Sequence, residues 1–503
     1  MKKLFHVVLT ISILSCITRA LGFVFRIYLS RELGAEALGS YQVAISVFVV
    51  LCTLIASGLP VILSREISKH KANNQQDLCS SSVGSGLVIS LTISLSACAI
   101  ILLFPNLITF FFTDKNSISV LFFLLPGVIA SAIFAAFRGA LWGHKHLVWL
   151  EITELIEQVA RMVLCFLFFK FFYNVLPKNQ LAGISLSISC IISCIMVAII
   201  FFALGYKIKS PKPTLKQITL ASTPITAMRS LSSLVTSLIA IIIPIRLVLA
   251  GISNEQALAE FGIMSGMTLP LLTIPGTVIG SLAVALTPEL SANASTSIHD
   301  PKKRVKIKNQ INNAITISVV LSFVLFPIYL VLGKELGLFL FNNTKAGTYL
   351  ILSCWIMVPM GVCQITNCVL NSIGKELKSL INYAVGAIFM FASIFFLPKY
   401  VGINSLIIGT GSMYVVTAIM NLLLLKKEHL LSKSHITTFF NMIAISVFCA
   451  SFSRFAYNIT AQSFSAFWSI TVSCLVSFVS LFVLVIVFNI ADLSSLLIRK
   501  KKV

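Results

Sequence analysis

The chain has 503 residues, 57% of them hydrophobic and only 11% charged, with a formal net charge of +22. That balance excludes an ordinary water-soluble globular domain and a disordered polyelectrolyte alike. In a soluble chain the positive charge would suggest nucleic acid, but here the cations sit in short segments between apolar runs, so membrane topology explains them and no nucleic-acid partner is expected.

Apolar runs of about 20 residues recur from end to end, about fourteen in all, and each is long enough for a transmembrane helix. The first spans Leu4 to Tyr28 and meets the second across Ser30 to Leu38. It is too long for a cleaved signal peptide, is interrupted by Arg19, and is expected to be retained. The next helices are predicted over Leu78 to Phe104, Ser117 to Trp142, Val148 to Tyr173 and Leu181 to Tyr206. A polar, basic stretch with Pro211 and Pro213 follows and is the best candidate for a linker.

The pattern then restarts with a helix over Ile218 to Leu249. Its exit, with Gly251, Glu255, Ala257-Leu258 and Phe261, echoes Gly34, Glu36, Ala37-Leu38 and Tyr41 after the first helix. Ser57-Gly-Leu-Pro60 with Ser64-Arg-Glu66 likewise answers Gly280-Ser-Leu-Ala283 with Thr287-Pro-Glu289. A six-plus-six internal repeat is expected. An even-numbered unit keeps its orientation, so the halves should be parallel, in a pseudo-twofold arrangement about the membrane normal. Later helices are predicted over Ile311 to Leu332, Gly347 to Asn371, Ser379 to Leu397 and Ile403 to Leu425, with two more beyond the repeat over His435 to Tyr457 and Phe464 to Ile490.

The expected class is an all-α polytopic membrane protein with an N-terminal lobe (1–206), a cytoplasmic linker (207–217), a C-terminal lobe (218–425), and two C-terminal helices with a basic tail (426–503). Cations cluster at Lys2-Lys3, Arg65 to Lys71, Lys207 to Lys216, Lys302 to Lys308, Lys426 to Lys433 and Arg499 to Lys502, while Gly251 to Ala259 and Asn458 to Ser463 have none. The bias puts both termini in the cytoplasm. Pro126, Pro224, Pro244, Pro270, Pro275, Pro327 and Pro359 fall within apolar runs, where they kink helices for packing or for hinging.

The chemistry-bearing residues are few. Arg19 sits deep in the first run, Arg26 near its end, and Arg229 at a corresponding depth in the first helix of the second half. An arginine at the bilayer centre costs roughly 3 kcal/mol or more, so it faces protein or water and marks a site. Glu157 precedes Arg161 by four residues, the favourable orientation for a same-face pair. With Arg138 and Glu154 these form a neutralised set, read either as a structural network or as a proton- or cation-coupling site. The twelve cysteines lie mostly within apolar runs and behave as small hydrophobes. Neither CxxC pairs nor Walker motifs occur, and no extramembrane segment is long enough for a catalytic domain. No enzyme activity, metal or cofactor is expected.

Thr18-Arg-Ala-Leu-Gly-Phe-Val-Phe-Arg26, then Ser30-Arg-Glu-Leu-Gly-Ala-Glu-Ala-Leu-Gly-Ser-Tyr-Gln42, resembles the opening of the stage V sporulation protein B-like group of the multidrug/oligosaccharidyl-lipid/polysaccharide exporter superfamily. Phe137-Arg-Gly-Ala-Leu-Trp-Gly143, Ile156-Glu-Gln-Val-Ala-Arg161, and Leu370-Asn-Ser-Ile-Gly-Lys375 with Asn382 are similar to later motifs of that group, in order. Trp149-Leu-Glu151 departs from its pattern. The resemblance implies alternating access and movement of an undecaprenyl-pyrophosphate-linked oligosaccharide, lipid II or a related precursor, across the bacterial plasma membrane. It implies cavity-lining arginines on the first helix, which Arg19 and Arg26 match, and Arg229 is expected to join them on the pyrophosphate. Membrane lipids and cell-envelope synthesis enzymes are the expected partners. A cation-coupled drug or metabolite exporter of the same fold is the alternative.

Overall fold

The computed structural model describes residues 2–104, 112, 114–296, 301–431 and 434–488. The protein is an all-α polytopic membrane protein. Among the described residues ten helical runs are long and apolar enough to cross a membrane, or eleven if the pair Asn254–Leu272 and Ile274–Ala283, bent by 46°, is one span. Leu147–Phe171 falls outside that count because Glu151, Glu154, Glu157, Arg161 and Lys170 lie along it. Large apolar side chains such as Phe166, Ile199, Leu220, Phe455 and Val479 are exposed, as a lipid-facing surface requires.

The chain forms two compact units, 1–262 and 263–503. In the first unit, α1 runs Lys2–Ala56, and Gly34 is its one residue with non-helical angles (φ 71°, ψ 178°). The junction expected over Ser30 to Leu38 is therefore a single-residue kink, not a loop. A left-handed φ carries little penalty only for glycine, so one residue redirects the helix. After it come α2 (Leu59–Ala72), α3 (Gln76–Leu103), α4 (Lys115–Gly143), α5 (Leu147–Phe171), α6 (Lys178–Ala203), α7 (Leu215–Leu249) and α8 (Asn254–Gly262). Asp114 caps α4 by accepting from Ser117 N–H at 3.2 Å, and accepts from Ser40 Oγ of α1 at 2.9 Å, which ties the two helices. The core joins Leu63 and Ile67 of α2, Val83 of α3, Phe137 and Leu141 of α4, and Phe201 of α6. Phe137 and Phe201 meet with ring centroids 5.2 Å apart.

The segment after α6 is docked rather than slack. Lys209 N–H donates to Ser80 O at 3.2 Å, Ser85 Oγ donates to Pro211 O at 2.9 Å, and Lys209 Nζ pairs with Asp77. Gln217 Nε2 then donates to the buried Glu66 carboxylate of α2 at 2.8 Å. The strap lies so close to α3 that a β-carbon on Gly84 would stand 2.2 Å from Lys209 O.

The second unit opens with a π-turn (Ile263–Thr268), then α9 (Leu269–Leu272), α10 (Ile274–Thr296), α11 (Pro301–Val324), α12 (Phe326–Phe341), α13 (Thr344–Ser353), a 3₁₀ turn (Cys354–Ile356), α14 (Met357–Ser372), α15 (Glu376–Phe396), α16 (Pro398–Val401), α17 (Asn404–Lys427), α18 (Ser434–Thr460) and α19 (Ala466–Val487). Two helices predicted as continuous are broken here. One breaks at Leu325, two residues before Pro327; the other breaks at Cys354–Ile356, ahead of Pro359. Proline lacks the N–H and its ring clashes with the preceding turn, so the helix restarts around it. Pro126, by contrast, lies inside an unbroken α4.

A buried amide network joins α14, α15 and α17. Asn421 Nδ2 donates to Thr366 Oγ1 at 3.1 Å and Asn367 Oδ1 at 2.7 Å, while its Oδ1 accepts from Asn382 Nδ2 at 2.8 Å. Interhelical hydrogen bonds of this kind orient helices where lipid removes the hydrophobic drive for association.

Candidate functional site: a charged seam between α1 and α5

Arg19, Gly22 and Arg26 are spaced three and four apart and so share one face of α1. Glu151, Glu154, Gln158 and Arg161 do the same on α5. These two faces meet. A β-carbon on Gly22 would lie 3.9 Å from Gln158 Nε2. Arg19 acts electrostatically on Glu151, together with Arg138. Arg26 and Arg161 both act on the hydroxyl of Tyr41, which is buried in the second arm of α1. Tyr28 stacks on Phe169 at 6.1 Å, closing the seam at its far end.

One ion pair and one hydrogen bond stitch α5 to its neighbours. Arg138 Nη2 of α4 lies 3.0 Å from Glu154 Oε1, and its guanidinium stands 4.8 Å from the Trp142 ring centroid. Arg161 pairs with Glu157 one turn before it, and Arg161 Nε donates to Ser189 Oγ of α6 at 3.3 Å. Glu157 also accepts a long contact from Cys190 Sγ at 4.0 Å. All four charged groups are about a fifth to a third exposed, so none is sealed within the helix packing.

Arg19 and Arg26 differ from these. Both are exposed, and neither forms an ion pair or side-chain hydrogen bond among the described residues. Two guanidinium groups therefore stand along a seam whose carboxylates Glu154 and Glu157 are already engaged. Such a planar fork of donors suits phosphate oxygens. The helix bearing Arg229 is present, but the Arg229 side chain lies outside the described residues.

The structure places Arg19, Arg138 and Glu154 in one electrostatic neighbourhood, a link from Arg19 to the charged set of α4 and α5 that the sequence alone does not make. The link is Glu151, a residue visible beforehand only as an oddity in Trp149-Leu-Glu151. Its spacing from Glu154, Gln158 and Arg161 was the available signal. Tyr41 and Gln158 stand in the repeat and the motifs, but nothing in the sequence marks them as site residues, since an isolated polar residue in an apolar run has no pattern of its own.

Residues 6–294 match the family described as polysaccharide biosynthesis protein. The chain is 26% identical over 347 residues to stage V sporulation protein B of Bacillus subtilis (strain 168), covering 66% of either chain. To sporulation protein YkvU of the same organism it is 22% identical over 303 residues, covering 58% of this chain and 66% of the relative. The matches thus span about two thirds of each relative's length. The fold is similar to that of lipid II flippase MurJ in an inward closed conformation (TM-score 0.76, 14% identity, 97% of this chain and 99% of that one). It is also similar to an inward-facing multidrug resistance MATE family transporter of the MOP superfamily (TM-score 0.67, 17% identity, 82% of this chain and 94% of that one). At these identities the two likenesses establish the fold.

Proposed function

From the premise that this chain belongs to the polysaccharide biosynthesis protein family, we propose that it is a flippase for an undecaprenyl-pyrophosphate-linked oligosaccharide, lipid II or a related envelope precursor. It works in the bacterial plasma membrane by alternating access between two six-helix lobes, 1–206 and 218–425, with both termini cytoplasmic. The observation that carries the reading is the pair of exposed guanidinium groups on one face of α1 that form no ion pair or side-chain hydrogen bond among the described residues. A pyrophosphate brings oxygens that accept bidentate N–H donation, and Arg19 and Arg26, about 10 Å apart along the helix axis, can engage it in succession. Arg229 is proposed as a third contact.

The headgroup crosses through water while the prenyl chain stays in lipid. An apolar groove of about 590 Å³ on the second unit, lined by Phe323 of α11, Phe326 of α12, Val362 of α14, Ile419 of α17 and Ile443 of α18, suits such a chain. The Arg138–Glu154 pair and the Arg161–Ser189 hydrogen bond hold α5 against α4 and α6.

A cation-coupled multidrug or metabolite exporter is the second reading, favoured by the likeness to the MATE fold. It requires a carboxylate available to a cation; Glu154 and Glu157 are both bridged to arginine, and Glu151, which forms no ion pair among the described residues, lies in the field of Arg19 and Arg138. The deciding experiment is flipping of a lipid-linked oligosaccharide in proteoliposomes. Arg19→Ala and Arg26→Ala are expected to lose about tenfold or more, with Arg19→Lys partly active, since one good charge-assisted contact is worth about 1.5–3 kcal/mol. Wild-type rates in all three variants, or organic-cation efflux without flipping, overturn the proposal.

A further inference from the structure

A groove of about 630 Å³ lies on the second unit where α15 begins and α17 ends. Three ammonium groups line it: Lys378, Lys426 and Lys427. Its remaining wall is apolar apart from one amide, and Ile381 (51% exposed) and Leu423 (54%) form its open side. That amide, Asn382, is committed to Asn421. No carboxylate appears among the lining residues, and the nearby Glu428 is held by Lys375 at 3.1 Å.

The lysines are not all explained by their helices. Lys426 and Lys427 occupy the last turn of α17, where a cation complements the helix dipole. Lys378 occupies the first turn of α15, where a cation opposes it. No side-chain hydrogen bond caps that helix start, and Glu376 in the same turn offsets only part of its positive end. Charge bias in loops sets topology, but it does not require three cations to converge on one apolar groove. An anion between them relieves both the mutual repulsion and the unfavourable dipole. The apolar wall, running from the lysines along α15 and α17, suits an anion that carries a hydrocarbon chain.

We propose that this groove binds an anionic phospholipid, its phosphate among Lys378, Lys426 and Lys427 and an acyl chain along Ile381 and Leu423. The site is independent of the α1–α5 seam and of the transport reading. A lysine near an anionic lipid surface is worth about 1 kcal/mol, or roughly fivefold in affinity.

The test is a lipid titration of the full-length, detergent-purified protein by native mass spectrometry, with phosphatidylglycerol, phosphatidylcholine and inorganic phosphate as separate probes. Phosphatidylglycerol is expected to bind more tightly than phosphatidylcholine. The Lys378→Gln/Lys426→Gln/Lys427→Gln variant should lose about tenfold to a hundredfold of that affinity. A comparison variant, Lys207→Gln/Lys212→Gln/Lys216→Gln, removes the same charge elsewhere and should stay within about twofold of wild type. Leu423→Glu keeps the lysines, places a carboxylate in the groove, and should also weaken phosphatidylglycerol, which covers the case of a triple variant that fails to fold. Equal loss in the comparison variant, unchanged affinity in both groove variants, or displacement of the lipid by equimolar inorganic phosphate overturns the proposal.

Discussion

Gly39 of α1 and Gly262 of α8 face each other reciprocally. A β-carbon on Gly39 would lie 2.0 Å from Leu258 O, and one on Gly262 would lie 2.1 Å from Ala35 O. Each glycine thus abuts the carbonyl four residues upstream of the other, and the two backbones touch. Gly39→Ala and Gly262→Ala should each destabilise the protein by about 1–3 kcal/mol through overpacking. Because both variants push the same two helices apart, their effects should not add. Thermal midpoints of the purified single and double variants check this, and unchanged midpoints in both singles would refute the contact.

The Arg161–Glu157 pair predicts a different pattern. Removing one partner leaves a charge inside the helix bundle with only partial access to water, while removing both leaves none. Arg161→Met and Glu157→Gln should therefore each cost more than the double variant. The coupling is expected at about 0.5–3 kcal/mol, toward the lower end because the groups are partly hydrated. A double-mutant cycle on thermal stability measures it.

His144, between α4 and α5, gives a pH signature. Burial pushes its pKa down to about 4, with help from Lys71 and His146. Its ring stacks on Tyr206 at 3.8 Å, and His146 Nε2 lies 2.9 Å from Tyr206 Oη. The folded protein thus favours the neutral imidazole, and the unfolded chain takes up the proton first. Stability from this group is complete above the ordinary histidine value of about 6.5 and declines as pH falls from there toward 4. His144→Phe keeps the stack and should flatten the thermal midpoint between pH 7 and 5. An equally steep fall in the variant would remove His144 as its source.

Gly84 controls the strap between α6 and α7. Gly84→Val places a side chain where Lys209 O now sits, so the strap must lift. Lifting strips the Ser80 and Ser85 hydrogen bonds, and the trypsin sites after Lys207 and Lys209 become accessible. Cleavage there should speed up about tenfold or more if it tracks the open population. A cleavage rate equal to wild type would mean that the strap is held elsewhere.

Helix positions were legible in the apolar runs, and so was the Glu157–Arg161 pair, because both follow from spacing along one helix; the Arg138–Glu154 contact crosses from α4 to α5 and rests on packing. Breaks at Leu325 and Cys354 were half-legible: Pro327 and Pro359 mark them, yet the equally conspicuous Pro126 interrupts nothing. Only the neighbours of a proline decide whether its unsatisfied carbonyl is tolerated. The seam itself was not legible. Arg19 and Glu151 are far apart in the chain, and no periodicity predicts which faces of two apolar helices will meet. For the same reason Asn382 was visible as a motif residue, while its partners Asn421, Thr366 and Asn367 emerged only from the packing.

The kink at Gly34 divides α1 into two arms with separate duties. Beyond it, the arm from Ala35 is anchored at Gly39 by backbone contact with α8. Before it, the arm carrying Arg19 and Arg26 is joined to the rest through one residue whose dihedral angles have unusual latitude. Arg19 lies fifteen residues away, a lever of about 22 Å, so a swing of only ten degrees at Gly34 carries its guanidinium some 4 Å, roughly the width of a phosphate group.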